Sequence, residues 1–457
     1  MASLSPRWVR RVKQGSGPVY LALAAALDEA IRAGELQPGE RLPPQRALAA
    51  ELGIDFTTVT RAYDVARSRG LVEAMVGRGT FVRAQAASDD AGLIDLSMNL
   101  PPPPFGISLA AMLRETADEV LQHTDAATLM AYHPGAGSTG QKAAGAIWLA
   151  PCLGDVAPER VLVCAGAQTA ITAALASVCQ PGDTVLTESL TYPGLKAAAA
   201  QLGLRLVACA SDAEGMMPEA MERACREARA AAVYLVPTMQ NPKATTMGLA
   251  RRREIARTAE ASGVWVIEDD PYSRLCEAPL PAIASFAPQR IFYVATLSKT
   301  LTPGLRVAYA VPPAAMAERL EEALRAVALM PAPLMTAVAT TWIREGAAER
   351  LLTGVRQEAR ARRAMAAAAL PAAVGSDEGL HVWLPLPAGW SADRLRLMAR
   401  DRGLSLVAAD AFQVGAAREH GVRISLGGPA KRSVLEKALA GIAAMLAGAP
   451  TPRGLVV

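Results

Sequence analysis

Chemistry enters this sequence at Thr296-Leu-Ser-Lys-Thr-Leu-Thr-Pro-Gly-Leu-Arg306, where one lysine stands among hydroxyl residues and an arginine follows seven positions later. The residues ahead of it, Ile-Phe-Tyr-Val-Ala, are apolar, β-branched and aromatic, and read as a buried strand. Lys299 therefore lies where a strand ends and the chain turns, the place where open α/β sheets bind ligands. Four other apolar runs end in polar residues in the same way: VLVCAGAQTAI, TVLTESLTYPG, AVYLVPTMQNP and VWVIEDDPY. Helical segments separate them. The pattern predicts a mostly parallel, doubly wound sheet with these polar ends along one edge.

That edge would gather a lysine, an aspartate, an asparagine, tyrosines, hydroxyls, an arginine and a helix N-terminus behind Gly-Ala-Gln. A helix N-terminus with hydroxyls and Arg306 suits a phosphate dianion. A lysine desolvated enough to be partly neutral can form a Schiff base with an aldehyde. A buried carboxylate on the far side can keep a pyridine nitrogen protonated and make its ring an electron sink. Phosphate, aldehyde and pyridine together describe pyridoxal 5′-phosphate (PLP). Lys299 would take the aldehyde, and Thr296, Ser298 and Arg306 the phosphate. The carboxylate is Asp269 or its neighbour Asp270.

Composition narrows the setting. At 457 residues the chain has room for two or three domains. No uncharged apolar run is long enough to span a bilayer. The basic start MASLSPRWVRRVKQGSGP lacks the apolar core of a secretory signal. The six cysteines, at 152, 164, 179, 209, 225 and 276, show no paired spacing, and the four histidines suggest no metal site. These features predict a reduced, cytoplasmic protein without a metal.

The charge is uneven. Residues 1–84 hold 12 Lys and Arg against 8 Asp and Glu, which accounts for the whole net charge of +4. Such asymmetry points to a nucleic-acid-facing module joined to a neutral body. Within that module GPVYLALAAALDEAIRAGEL, RALAAELG and TTVTRAYDVARSRG read as three helices, Asp55 capping the third. LVEAMV and TFVR flank a glycine-rich turn. Three helices and a hairpin make a winged helix-turn-helix, whose third helix enters the major groove. After it, AQAASDDAGLIDLSMNLPPPP reads as a linker with a stiff proline end. The expected organisation is a DNA-binding domain at 1–84, a linker at 85–104 and an α/β body at 105–457. A smaller α+β subdomain would begin at about residue 330.

The words GELQPGERLPPQRALAAELG, TTVTRAYD and GRGTFV resemble the DNA-binding domain of the GntR superfamily of bacterial regulators. That resemblance implies DNA contacts from Arg46, Thr57, Thr58 and a wing of Gly77, Arg78 and Gly79. The family often has an arginine before the paired hydroxyls. Here Phe56 stands there, which makes Arg61 a candidate substitute. The later motifs resemble fold-type I aminotransferases. Combined with the first module, they make the chain similar to the MocR-type regulators over nearly its whole length.

The second resemblance implies that Ala167 and Gln168 offer backbone N–H groups to the phosphate. Tyr192 would stack on the pyridine, Asn241 and Tyr272 would bond the ring hydroxyl, and Asp269 would pair with the ring nitrogen. Tyr132 would reach the phosphate of a neighbouring subunit, and Arg423 would hold an amino acid's carboxylate. It thus implies a homodimeric regulator that binds promoter DNA and PLP and senses an amino acid or PLP itself. The alternative is a catalytically active class I/II aminotransferase. Two departures, Lys243-Ala244 in place of Thr-Gly after Asn241-Pro242 and the absence of a Leu-Arg pair in QKAAGAIWL, fall on the substrate side of the site.

Overall fold

The computed structural model describes residues 8–9, 18–32, 35–36, 39–75, 79–82, 93–133, 135–416 and 419–448. They divide into two units, Met1–Gly92 and Leu93–Val457.

In the first unit α1 (Val19–Arg32) buries Leu23, Leu27 and Ala30, the helical-spacing stripe of its sequence. α2 (Gln45–Leu52) ends at Gly53, whose φ of 65° is left-handed. α3 (Phe56–Ser68) starts at Asp55, whose carboxylate accepts from the Thr57 N–H at 2.7 Å. α3 lays Val59, Ala62, Tyr63 and Ala66 on the shared core. β1 (Val72–Met75) and β2 (Gly79–Val82) pair antiparallel, with Val72 opposite Val82. The strip at 39–42 joins them through Leu42 N–H to Thr80 O and Val82 N–H to Glu40 O. This is the expected winged helix-turn-helix. Gly77 and Arg78 lie outside the described residues.

The second unit opens with β3 (Ile94–Asp95). α4 (Leu109–His123), α5 (Ala126–Leu129) and α6 (Thr139–Leu153) lead to β4 (Leu162–Cys164) and α7 (Ala167–Val178). There follow β5 (Thr184–Glu188), β6 (Arg205–Cys209), the small hairpin β7 (Ser211–Asp212) and β8 (Gly215–Met216), and β9 (Ala232–Leu235). β10 (Trp265–Asp269), β11 (Ile291–Thr296) and β12 (Ala308–Val311) complete a seven-stranded sheet of order β4-β12-β11-β10-β9-β5-β6. Only β12 runs against its neighbours, so the C-terminal ends of β4, β5, β9, β10 and β11 share one edge. Helices cover both faces, which explains why β5, β9 and β11 are buried at every position.

β13 (His381–Pro385), β14 (Leu404–Ser405), β15 (Val407–Ala408) and β16 (Gly421–Ser425) follow. β13, β16 and β15 form an antiparallel sheet backed by helices Ala392–Asp401 and Arg432–Ala447. This is the smaller α+β subdomain. Apart from Leu96, its core begins at Ala366 rather than near 330, because helix Ala347–Ala369 contributes Val355 and Ala359 to the large core and Ala366 to the small one.

The structure also differs from the sequence reading at the linker. Residues 94–104 belong to the body: β3 pairs with β14, and Leu96 is wholly buried in the small core. The backbone at 95–100 lies so close to Gly427 and Gly428 that a methyl on either would overlap the carbonyl of Leu100 or Asp95. Gly427→Ala should therefore lower the melting temperature of the full chain, with a cost of about 1–3 kcal/mol for overpacking. It should also make 93–104 newly sensitive to limited proteolysis. Unchanged melting and an unchanged digest would show that the segment is not held there.

Candidate functional site

Each strand end delivers its polar residues to the shared edge. Behind β4, Gly166 takes φ 94° and starts α7 without any side-chain cap. The first N–H groups of α7, including those of Ala167 and Gln168, are thus left for another acceptor. The Arg306 guanidinium lies over Gly166, its Nη2 3.4 Å from the Ala165 carbonyl, and a methyl at Gly166 would strike it. Ser298 N–H donates to Thr296 Oγ1 at 3.2 Å, with both residues buried. Gln168 Nε2 donates to Gly194 O at 2.8 Å, and Gly194 is pressed against the Tyr192 ring. An uncapped helix N-terminus, two hydroxyls and a guanidinium form an anion cradle.

The two aspartates at the end of β10 are told apart by their partners. Asp270 accepts from Ser273 N–H at 3.0 Å and from Tyr293 OH at 2.8 Å, so it is structural. Asp269 Oδ2 accepts from Tyr234 OH at 2.6 Å, while its buried Oδ1 has no protein partner. Burial pushes the Asp269 carboxyl up to about 7, against the pull of Tyr234 and Lys299. Burial likewise brings the Lys299 amine down to about 8, helped by Arg423 and Arg306 and opposed by Asp269. An amine depressed that far is partly neutral near physiological pH, far more so than an ordinary lysine, and can act as a nucleophile.

A third cluster joins the subdomains. Arg423, on β16, donates through Nη1 to Asn241 Oδ1 at 2.8 Å and through Nη2 to Ser97 O, and it lies 5.0 Å from the Phe412 ring centroid. Its Nε is buried without a partner. Lys299 Nζ donates to Asn99 O at 2.5 Å. The Asn99 amide donates to Tyr272 OH at 2.9 Å and to His381 Nδ1 at 3.0 Å. Burial, then Arg423, holds His381 down to about 3, so the ring is neutral and its Nε2–H faces Gln240 O at 3.2 Å. Lys243, one of the departures, pairs with Glu419 at 2.8 Å, and Glu419 also accepts from Ser189 at 2.9 Å. Ala244 beside it holds φ 57°, a conformation that favours glycine.

The PLP residues named from sequence gather here with one exception: Tyr132 is 80% exposed on its turn. Asn99, Ser97, His381 and Tyr234 escaped the sequence reading. The stretch ahead of Asn99, Leu93-Ile-Asp-Leu96, is too short and too interrupted to read as a strand from sequence. The arrangement fits PLP on the structure's own terms. Asp269 Oδ1 wants a donor such as a pyridinium N–H, Tyr272 OH keeps its proton to donate, and Asn241 has its amide N–H groups free of Arg423. The cradle at α7 suits the phosphate.

On the DNA-binding unit, Arg46 lies over the Phe56 ring at 5.8 Å and Arg61 over the Tyr20 ring at 5.3 Å. Arg61 is thus steadied by α1, and Arg46 by the residue that replaces the family's arginine. The Thr57 hydroxyl donates to Asp55. The side chain of Thr58 opens the same helix.

Two families match the chain: "Aminotransferase class I and II" over residues 91–442 and "Bacterial regulatory proteins, gntR family" over residues 19–82. The uncharacterized HTH-type transcriptional regulator YdeF of Bacillus subtilis is 33% identical over 444 residues, 94% of this chain and 95% of its own. The probable rhizopine catabolism regulatory protein MocR of Rhizobium meliloti is 27% identical, over 72% of each chain. This chain belongs to the MocR-type regulators. Their aminotransferase-like part has solved relatives. LysN, the α-aminoadipate aminotransferase of Thermus thermophilus, solved with N-(5′-phosphopyridoxyl)-L-leucine, superimposes with a TM-score of 0.72 at 26% identity. The match covers 80% of this chain and 95% of LysN.

The Lys299 amine provides a test of the site's electrostatics. Acylation of Lys299, followed by peptide mass spectrometry, should reach its half-maximal rate near pH 8, whereas ordinary lysines require about pH 10.4. Asp269→Asn should lower that midpoint further, because the lost carboxylate was favouring the ammonium form. A midpoint close to that of surface lysines would show that the amine is not desolvated.

Proposed function

We propose that this chain is a PLP-dependent transcriptional regulator that binds promoter DNA through residues 1–84 and an amino-acid effector in its aminotransferase-like body. The observation that carries this reading is a desolvated amine, Lys299, electrostatically coupled to a buried carboxylate, Asp269, with one oxygen left for a ligand. The same chain carries a gntR-type DNA-binding unit. PLP supplies an electrophilic aldehyde and an electron-withdrawing ring.

The chain's residues do the rest. Lys299 offers its neutral amine to the aldehyde, and Asp269 Oδ1 holds a proton on the ring nitrogen. Tyr272 and Asn241 donate to the ring hydroxyl. Ala167, Gln168, Thr296, Ser298 and Arg306 take the phosphate, and Tyr192 covers the ring. Arg423 takes a carboxylate with the N–H groups left over from Asn241 and Ser97. Tyr132, extended into solvent, would complete the site of a second copy in a homodimer. Residues 85–92 would then be the linker, and the setting cytoplasmic. Among the described residues no helix is long and apolar enough to cross a membrane. The reading as an active class I/II aminotransferase is favoured by the same amine, carboxylate and carboxylate-binding arginine.

Addition of PLP followed by borohydride should fix the label on Lys299 and on no other lysine. Arg423→Ala should keep that label while losing its response to an amino-acid panel in operator binding, a loss of about 2–5 kcal/mol for a desolvated charge pair. An unchanged response in Arg423→Ala would assign sensing to PLP itself. Amino-group exchange with a 2-oxo acid at enzymic rates would favour the aminotransferase reading instead.

DNA affinity should fall linearly with log salt. Arg46→Ala should weaken binding, and if Arg46 meets a phosphate it should reduce the salt slope by about 1. Equal binding by a chain lacking residues 1–84 would overturn the domain assignment.

A further inference from the structure

The segment Ile94–Asn99 touches both halves of the body. Its N-terminal part is tied to the small subdomain by Ile94 N–H to Gly403 O at 2.7 Å, Leu96 N–H to Ser405 O at 3.0 Å and Ser425 N–H to Leu96 O at 2.9 Å. Asp95 caps the turn that follows, accepting from Ser97 N–H at 2.7 Å and from Met98 N–H at 3.2 Å. The far end, Asn99, reaches the large subdomain, where its carbonyl accepts from Lys299 and its amide donates to Tyr272. Asn99 is only 5% exposed. The chain that leaves the DNA-binding unit enters the body at Leu93, directly before this segment.

We propose that Ile94–Asn99 is the element through which the body's binding site addresses the DNA-binding unit, with the Asn99 carbonyl as the sensing atom. This rests on the reading that Lys299 takes PLP. An ammonium has three N–H donors. Condensation of the free amine with an aldehyde joins nitrogen to carbon, and the aldehyde oxygen departs as water with both amine protons. No electrons are exchanged with an outside reagent. The nitrogen keeps at most one N–H, fixed in the plane of the new double bond, and can no longer serve the Asn99 carbonyl. A buried carbonyl that loses its donor is unstable where it stands, so the end of the segment, left with only the Asn99 amide bond to Tyr272, is loosened from the large subdomain while β3 stays on β14. One tie between the subdomains is cut, at the root of the chain that leads to the DNA-binding unit.

Such coupling requires an element with two arrangements that both sites bias. The segment qualifies because it is anchored on one side by backbone pairing and on the other by a donor that a ligand removes. The Asn99 carbonyl therefore reports the chemical form of Lys299 rather than the filling of the site. An amine that displaces Lys299 from the aldehyde carbon returns two protons to Nζ and so restores the donor.

The test uses the full chain with PLP as the probe. Hydrogen exchange in a peptide spanning 93–105 should quicken about fivefold or more when PLP is added, as expected when a buried hydrogen bond is lost. Lys299→Met without PLP should exchange as fast as PLP-loaded wild type, since it also lacks the N–H. Lys299→Arg keeps donors but cannot condense, so PLP should leave its exchange slow. The affinity for a DNA fragment selected on the wild-type protein should shift in the same direction for PLP and for Lys299→Met.

If Lys299→Met behaves as unloaded wild type in both measurements, the inference is overturned. It is equally overturned if PLP quickens exchange in Lys299→Arg, and that arm suffices should circular dichroism show Lys299→Met unfolded. Failure of borohydride to fix PLP on Lys299 of the wild type would remove the underlying reading instead. A fixed label with no change in exchange would remove only the inference.

Discussion

A carboxylate buried with one oxygen unanswered is the constraint around which the body is arranged. Asp269 sits at the end of a strand two places in from the antiparallel strand, covered by helices, where water cannot compensate its charge. Its raised carboxyl has a definite sign for stability. The unfolded group ionises near 3.8 and the folded one near 7. The fold is therefore unpenalised below the first value, loses stability as pH rises between the two, and bears the full penalty above the second. A cation placed against Oδ1 relieves that penalty, which gives a protonated ring a thermodynamic reason to bind. Tyr234, on the adjacent strand, fixes which oxygen is left open.

How much of this could be read in the sequence follows from how each residue is held. Parallel strands buried on both faces must be apolar throughout, so β5, β9, β10 and β11 stood out, and their polar ends with them. Lys299, Asp269, Asn241 and Tyr272 were legible for that reason, whereas Arg423, within antiparallel β16, was reached only through the resemblance to fold-type I aminotransferases. The choice between Asp269 and Asp270 became firm only with their partners, because adjacent carboxylates are equivalent in a string. Asn99 was hidden by the brevity of β3. Two residues of strand carry no periodicity, and the prolines that follow suggested a spacer. The small core starts later than the sequence suggested because helix Ala347–Ala369 passes from one core to the other within a single helical run, its buried face crossing Glu358, Arg362 and Arg363 between Val355 and Ala366.

The DNA-binding unit gave a different balance. Its helices and hairpin were plain from caps and glycines, since Asp55 and Gly53 act locally. The roles of its arginines were not, because Arg46 and Arg61 are set by aromatic neighbours, Phe56 and Tyr20, whose contact depends on packing. Phe56 therefore does something specific in place of an arginine: it gives the neighbouring guanidinium a face to rest on.

Helix Ala347–Ala369 runs through both cores of the body. Its 23 residues make a rod about 34 Å long at 1.5 Å per residue. One half is gripped by the large core and the other carries the small one, so it acts mechanically as a lever. A tilt of about 10° at the gripped half moves the free end, about 17 Å away, by about 3 Å, roughly the length of a hydrogen bond. The position of Arg423, which rides with the small sheet, therefore depends on the angle of a helix whose own packing lies in the two cores. Packing changes along its large-core half, at Val355 or Ala359, reach the small sheet by leverage.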